Sequence, residues 1–107
     1  MYVLVFYVPE SHLEEVKKAV FAAGGGRLSG YEHCAWQVRG EGQFAPGEGS
    51  SPYLGEAGSL TRTPEYRVEI ACRREVARPA VEALLQAHPY EVPAYHLIPA
   101  ATLEELS

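Results

Sequence analysis

Tyr2 to Val8 is an unbroken run of β-branched, aliphatic and aromatic residues without polar alternation. That pattern predicts a strand buried on both faces at the centre of a sheet, and Pro9 ends it. Ser11-His12-Leu13-Glu14 has the spacing of a capping box, with Ser11 accepting from the amide three residues on and Glu14 reaching back. Leu13, Val16, Val20 and Ala23 recur at three- and four-residue spacing, so one apolar stripe predicts a helix to about Ala23. Gly24-Gly25-Gly26 stops it. Gly30-Tyr31 leads into a second predicted strand, roughly Glu32 to Val38. Alternation places Cys34, Trp36 and Val38 on the expected core face, with Tyr31, His33, Ala35 and Gln37 opposite.

Gly40 to Arg62 is rich in Gly, Pro and Ser and has little periodicity, so it reads as one long loop. Loops of that length tend to be functional or disordered, and Phe44, Tyr53 and Leu54 favour one that packs on something. The third strand, Glu65 to Cys72, alternates Tyr66, Val68, Ile70 and Cys72 with Arg67, Glu69 and Ala71. A second helix starts between Glu75 and Arg78, where Pro79 is tolerated in the first turn, and carries the stripe Val81, Leu84, Leu85 and His88. Pro89 and Pro93 then fix φ twice and turn the backbone rigidly into a fourth strand, Ala94 to Ile98. Ala101 to Leu106 suits a short terminal helix. The order β-α-β-β-α-β predicts an α+β, ferredoxin-like split βαβ fold, an antiparallel sheet with two helices on one face. The other face is left uncovered and apolar, which predicts a homo-oligomer.

Length and charge narrow the function. A chain of 107 residues is expected to form a single domain, 1–107. A net charge of −5, with cations clustered only at Lys17-Lys18 and Arg73-Arg74, speaks against nucleic acid as a partner. No apolar run reaches the roughly 20 residues of a membrane span, and the start lacks the pattern of a signal peptide. The expected location is the cytoplasm, where Cys34 and Cys72 stay thiols. No CxxC or CxxH pair occurs, and all 14 acids are Glu, which removes Asp-based metal clusters and triads.

His88-Pro89-Tyr90-Glu91-Val92-Pro93-Ala94-Tyr95 concentrates the candidate chemistry, because the prolines fix where the side chains point. His88 and Glu91 suit a divalent transition metal, with His33 from another strand or subunit needed to complete the set. The alternative is that His88 caps the second helix and Glu91 pairs with an Arg. Tyr31 and Tyr90 are candidate ligand-binding walls, with interface packing as the plainer reading of Tyr31. Cys34 as a nucleophile is set against an inert thiol beside Trp36. The loop carries Glu41, Glu48 and Glu56, which repel phosphate, and matches no phosphate-binding fingerprint.

The segment HPYEVP, His88 to Pro93, resembles the corresponding segment of the CutA proteins, trimeric ferredoxin-like relatives of the PII signal proteins associated with divalent-cation tolerance. Together with Phe21-Ala22-Ala23-Gly24, Gly30-Tyr31-Glu32-His33-Cys34, Gly40-Glu41-Gly42-Gln43-Phe44 and Pro52-Tyr53-Leu54-Gly55-Glu56, in order, it resembles the CutA/PII-like domain inserted in YqfO-type members of the Nif-three-like family. The resemblance runs from Tyr2 to about Pro99. In the family that domain lies between two lobes that supply the ligands of a metal pair. Those lobes are not in this sequence, and His96 stands where the family often has an acid. The resemblance therefore implies a CutA/PII-like module standing alone: a trimeric binding or regulatory module with its site between subunits. A metal-assisted hydrolase of a phosphate or nucleotide, or a purely structural assembly subunit, are the alternatives.

Overall fold

The computed structural model describes all residues except 48, 50–52, 54, 57 and 107. Strand β1 is Tyr2–Val8, helix α1 Leu13–Ala22, β2 Trp36–Phe44, β3 Thr61–Cys72, α2 Ala77–Ala87 and β4 Tyr95–Pro99. The four strands form one sheet in the order β2-β3-β1-β4, and every neighbouring pair is antiparallel. This is the expected split βαβ arrangement.

Register explains which side chains make the core. Leu4 pairs with Ile70 and Leu97, and Phe6 with Val68 and Tyr95. Directly opposed residues share a face, so Tyr2, Leu4, Phe6 and Val8 line up with Tyr66, Val68, Ile70 and Cys72. Leu13, Val16 and Val20 of α1 and Ala80 and Leu84 of α2 join these strand residues in the core. Each helix therefore buries most of the stripe its spacing predicts, His88 included, while Ala23 and Val81 are half-buried and Leu85 is exposed.

Three local expectations are corrected. First, α1 is preceded by a 3-10 turn, Glu10–His12, and its N-cap His12 makes no side-chain cap bond. Ser11 bonds the His12 ring and Glu14 pairs with Lys17 instead. A capping box forms elsewhere, between Thr102 and Glu105 around a short 3-10 turn, where Leu103 and Leu106 stay exposed. Second, the second strand does not begin at Glu32. Leu28 and Tyr31 close a tight turn with reciprocal bonds of 3.0 and 2.8 Å, and Tyr31 is exposed at its tip.

Third, β2 runs on to Phe44 through residues that read as loop. Gly40 to Phe44 pair with Glu65 to Thr61, so the connection covers only 45–60. Gln37, opposite buried Val68, faces the helices and accepts from the Lys17 ammonium at 2.8 Å. Trp36 and Val38 therefore face the open side and not the core. β3 extends beyond its pairing with β1, so the β2–β3 hairpin projects as an arm. The extents are 50 × 26 × 23 Å, and the radius of gyration is 15.1 Å, against about 13 Å for a compact chain of this size.

The glycine run after α1 is needed for more than stopping the helix. Gly26 has φ +78°, and a Cβ there would lie 2.9 Å from the Cys34 carbonyl oxygen and 3.0 Å from the Phe21 ring. Its amide donates to Ala71 at 2.8 Å and its carbonyl accepts from Cys34 at 2.9 Å. Gly26→Ala is expected to lose about 1–3 kcal/mol of stability, from the left-handed φ and the contact together. A urea denaturation midpoint equal to the parent's would contradict this.

Candidate functional cleft

The two prolines act as their spacing suggests. α2 ends at His88, whose amide donates to Leu84 and whose backbone is already extended. The His88 ring turns inward. Its Nε2 lies 2.6 Å from the Tyr7 carbonyl oxygen, and its Nδ1 accepts from the Tyr90 amide at 3.1 Å. A ring that accepts at Nδ1 must, when neutral, carry its proton on Nε2 and donate it to Tyr7. Burial lowers the His88 pKa below the ordinary imidazole range. The bond to Tyr7 opposes that shift, and nearby His12 adds to it.

This arrangement fixes Tyr90 over the end of the sheet. Tyr7, Phe44 and Glu65 all project on the open face there, with Tyr7 at the end of β1 and the other two on the projecting arm. Tyr53 comes in from the 45–60 connection. The Phe44 and Tyr53 rings each lie 6.2 Å from Tyr90, tilted by 49° and 45°. Tyr53 also meets His12 edge-on at 5.9 Å. Together these groups wall a cleft of about 300 Å³, which Glu91, Val92 and Ala94 complete on the β4 side and Gln43 and Pro46 on the arm side.

Two polar features mark the cleft. The Tyr90 hydroxyl is buried with the Glu65 carboxylate as a hydrogen-bonding neighbour, without a close, well-aligned bond between them. Burial, with the Glu65 carboxylate beside it, holds this phenol well above its ordinary range. The Glu65 side chain lies directly against Gly42 of β2, where only a residue without Cβ leaves it room. Tyr7 is held by Arg67, whose guanidinium donates to the phenol oxygen at 2.9 Å and sits 5.8 Å from the ring centroid.

Of the residues singled out from sequence, Tyr90 and Glu91 line this cleft, while His88 supports it from behind. Tyr31 and His33 lie elsewhere. His33, with φ 58°, stacks on Phe21 at 4.8 Å, near the link between Gly26 and Ala71. Ala71 pairs with Val3, four residues along β1 from Tyr7, about 13 Å of strand. Within one chain the metal set His33, His88 and Glu91 is therefore not assembled. Among the described residues no three His, Cys, Asp or Glu side chains converge on a common point. Both His88 nitrogens are already engaged, so the ring has no spare lone pair for a divalent ion. Cys34 is half-buried. Of the residues expected to anchor the loop, Phe44 ends β2 and lines the cleft, Tyr53 reaches the cleft but is 55% exposed, and Leu54 and Glu48 fall outside the described residues.

Sequence reasoning missed Tyr7, Gln43 and Glu65 as cleft residues. Tyr7 and Glu65 were legible in principle, being large or charged side chains at odd positions of β1 and β3, on the face that the helices leave open. Gln43 was hidden by its Gly-rich surroundings.

The four-stranded antiparallel sheet with two helices on one face and a projecting hairpin is a CutA/PII-like fold. CutA1 from Pyrococcus horikoshii superposes with a TM-score of 0.70 at 18% identity, over 98% of this chain and 88% of that one. The PII-like protein CutA from Nostoc superposes with 0.65 at 14%, over 99% and 86%. A Bacillus cereus protein related to NIF3 superposes with 0.82 at 37% identity, over 94% of this chain and 26% of that one. In sequence, the GTP cyclohydrolase 1 type 2 homolog of Mycobacterium leprae is 43% identical over 93 residues, 87% of this chain and 24% of that protein. No family model matches the chain. Over most of its length the chain is thus similar to one part of NIF3-related, YqfO-type proteins, and that part has a CutA-like fold. The chain spans about a quarter of the length of the relatives it matches.

Proposed function

We propose that the chain is a small binding and regulatory module whose copies, in trimers, cover one another's open sheet face and hold a small ligand in the cleft at its end. The observation that carries this reading is the open face itself. Its rows are Ile98-Val3-Ala71, His96-Val5-Glu69-Trp36 and Tyr7-Arg67-Val38. Trp36 is 57% exposed, Val38 44% and Ile98 41%. Trp, Tyr, Val and Ile dominate this face, and its charges, Arg67 and Glu69, pair with each other at 3.3 Å, so most of it can be covered as an interface core. The CutA neighbours share the fold that leaves this face open.

The test is sedimentation or native mass spectrometry of the chain beside a Val38→Glu, Ile98→Glu variant. The parent is expected as a trimer at tens of micromolar and the variant as a folded monomer. A monomeric parent would overturn self-association. The quarter-length match to the relatives would then favour the rest of a longer protein as the cover.

Two other readings receive less support. A divalent transition metal held between copies by His33, His88 and Glu91 would cost His88 one of its two bonds. A metal-assisted hydrolase of a phosphate or nucleotide would need a site that welcomes an anion. The described cleft residues include two carboxylates and no Lys, Arg or His. The name carried by the Mycobacterium leprae relative belongs to a protein about four times as long, and its activity is not proposed for this chain.

A further inference from the structure

We infer that the cleft between Tyr90, Tyr53, Phe44 and Glu65 is a receptor for a small organic cation, of the quaternary-ammonium class. The inference rests on the proposal that the cleft is the ligand site, and it names the ligand's chemistry.

The first argument is the placement of the rings. Phe44 and Tyr53 lean toward Tyr90 at 49° and 45°, with centroids 6.2 Å away. Rings tilted and spaced like this are not stacked flat on one another, and all three line the same cleft, with the His88 ring against Tyr90 at 4.8 Å. A cation over aromatic faces is attracted by the ring quadrupoles, most strongly when it is desolvated. A few rings around one centre is the arrangement by which alkylammonium groups are recognised in proteins generally. The volume of about 300 Å³ is at the lower end for small-molecule sites, so a compact ligand fits and a nucleotide does not.

The second argument is charge. Glu14, Glu32, Glu41 and Glu69 each pair with a nearby cation: Lys17, Arg27, Arg62 and Arg67. Glu65 makes no ion pair among the described residues, as is also true of Glu10, Glu75, Glu82 and Glu104, but it differs from these in lying against Gly42 and lining the cleft. A carboxylate in apolar, aromatic surroundings attracts a cation more strongly than one in open water. It also repels phosphates and carboxylates. Tyr90 adds a buried hydroxyl set beside the Glu65 carboxylate, so the phenol and the anion form one polar spot on an otherwise aromatic wall.

The third argument is rigidity. Two prolines and the His88 bridge hold Tyr90, Gly42 sets Glu65, and the Arg67 bond sets Tyr7. A site whose walls are already held in place loses less on binding than one that must order them.

The experiment is a titration of the full chain followed by amide NMR, with three probes: choline, its uncharged isostere in which carbon replaces the nitrogen, and orthophosphate. Choline is expected to shift the amides of Tyr53, Glu65, Tyr90 and Glu91 saturably, while the isostere and orthophosphate leave them in place. Glu65→Gln, close in size and without charge, is expected to weaken choline about tenfold or more. Phe44→Leu, which keeps the wall apolar but removes its π-face, should also weaken choline. Equal binding of choline and the isostere would overturn the cation assignment and leave the cleft as a binding site. Orthophosphate binding in place of choline would overturn it too. Absence of localised shifts with all three probes would remove both the cation and the cleft as a site, without touching the oligomer reading.

Discussion

Phe6→Ala is expected to lower the unfolding free energy by about 3–5 kcal/mol, the usual cost of removing a fully buried phenyl ring. Phe6 is completely buried on the central strand, between Val68 of β3 and Tyr95 of β4, beneath the layer of both helices. Its neighbours on every side belong to different elements, so no single element can shift to refill the hole. A domain of this size has about 5–15 kcal/mol in total, so the variant should be close to unfolding at physiological temperature. Phe6→Leu, which leaves most of the volume filled, should cost far less. The check is the urea midpoint and slope of each variant at fixed protein concentration, because self-association adds to apparent stability by mass action. A Phe6→Ala loss below about 1 kcal/mol would mean that β1 is not the centre of the core.

The same strand shows why part of the fold was legible from the sequence and part was not. β1 and β3 lie inside the sheet, where burial selects each side chain. Tyr66, Val68, Ile70 and Cys72 therefore alternate cleanly, and β1 reads as a continuous apolar run. β2 lies at the edge. It is held by backbone bonds to β3, and its side chains are almost all exposed. Nothing in Arg39-Gly40-Glu41-Gly42-Gln43 had to be apolar, so an extended strand looked like loop. Trp36 and Val38 carry a strand pattern, but alternation alone does not say which face holds the core. The pairing of Gln37 with Val68 decides it.

The candidate site divides along the same lines. Tyr90 and Glu91 were marked by the two prolines, a purely local signal. His33 was grouped with His88 only because both are potential ligands, and the register places them near opposite ends of β1. Phe44 and Glu65 reach the cleft through the pairing of the arm strands, which no short-range spacing encodes. His88 was expected either to cap α2 or to bind a metal. It does stand at the end of α2, but its ring ties that end to Tyr7 and holds the next segment in place.

That bridge carries the last prediction, which concerns pH. Burial lowers the His88 pKa in the folded chain, so the folded state takes up its proton less readily than the unfolded state. Stability from neutral His88 is therefore complete above the ordinary value of 6.5 and is lost as pH falls through the lower folded value. The chemistry gives the same sign. A protonated ring would present Nδ1–H to the Tyr90 amide, two donors facing each other, so protonation breaks the contact that positions the cleft wall. The unfolding midpoint is expected to fall between pH 7 and pH 5, with the Tyr90 amide among the first to exchange. His88→Gln should be less stable by about 1–3 kcal/mol at pH 7, through the broken bridge and an unsatisfied Tyr7 carbonyl. It should also flatten the pH dependence in that window. The Glu105 carboxyl is held low by the chain's amino terminus, backed by Thr102, and so contributes only at more acid pH. Thermal melts of the two proteins across the window are the check. Parallel curves would show that His88 stays neutral and bonded in acid, and that another group sets the response.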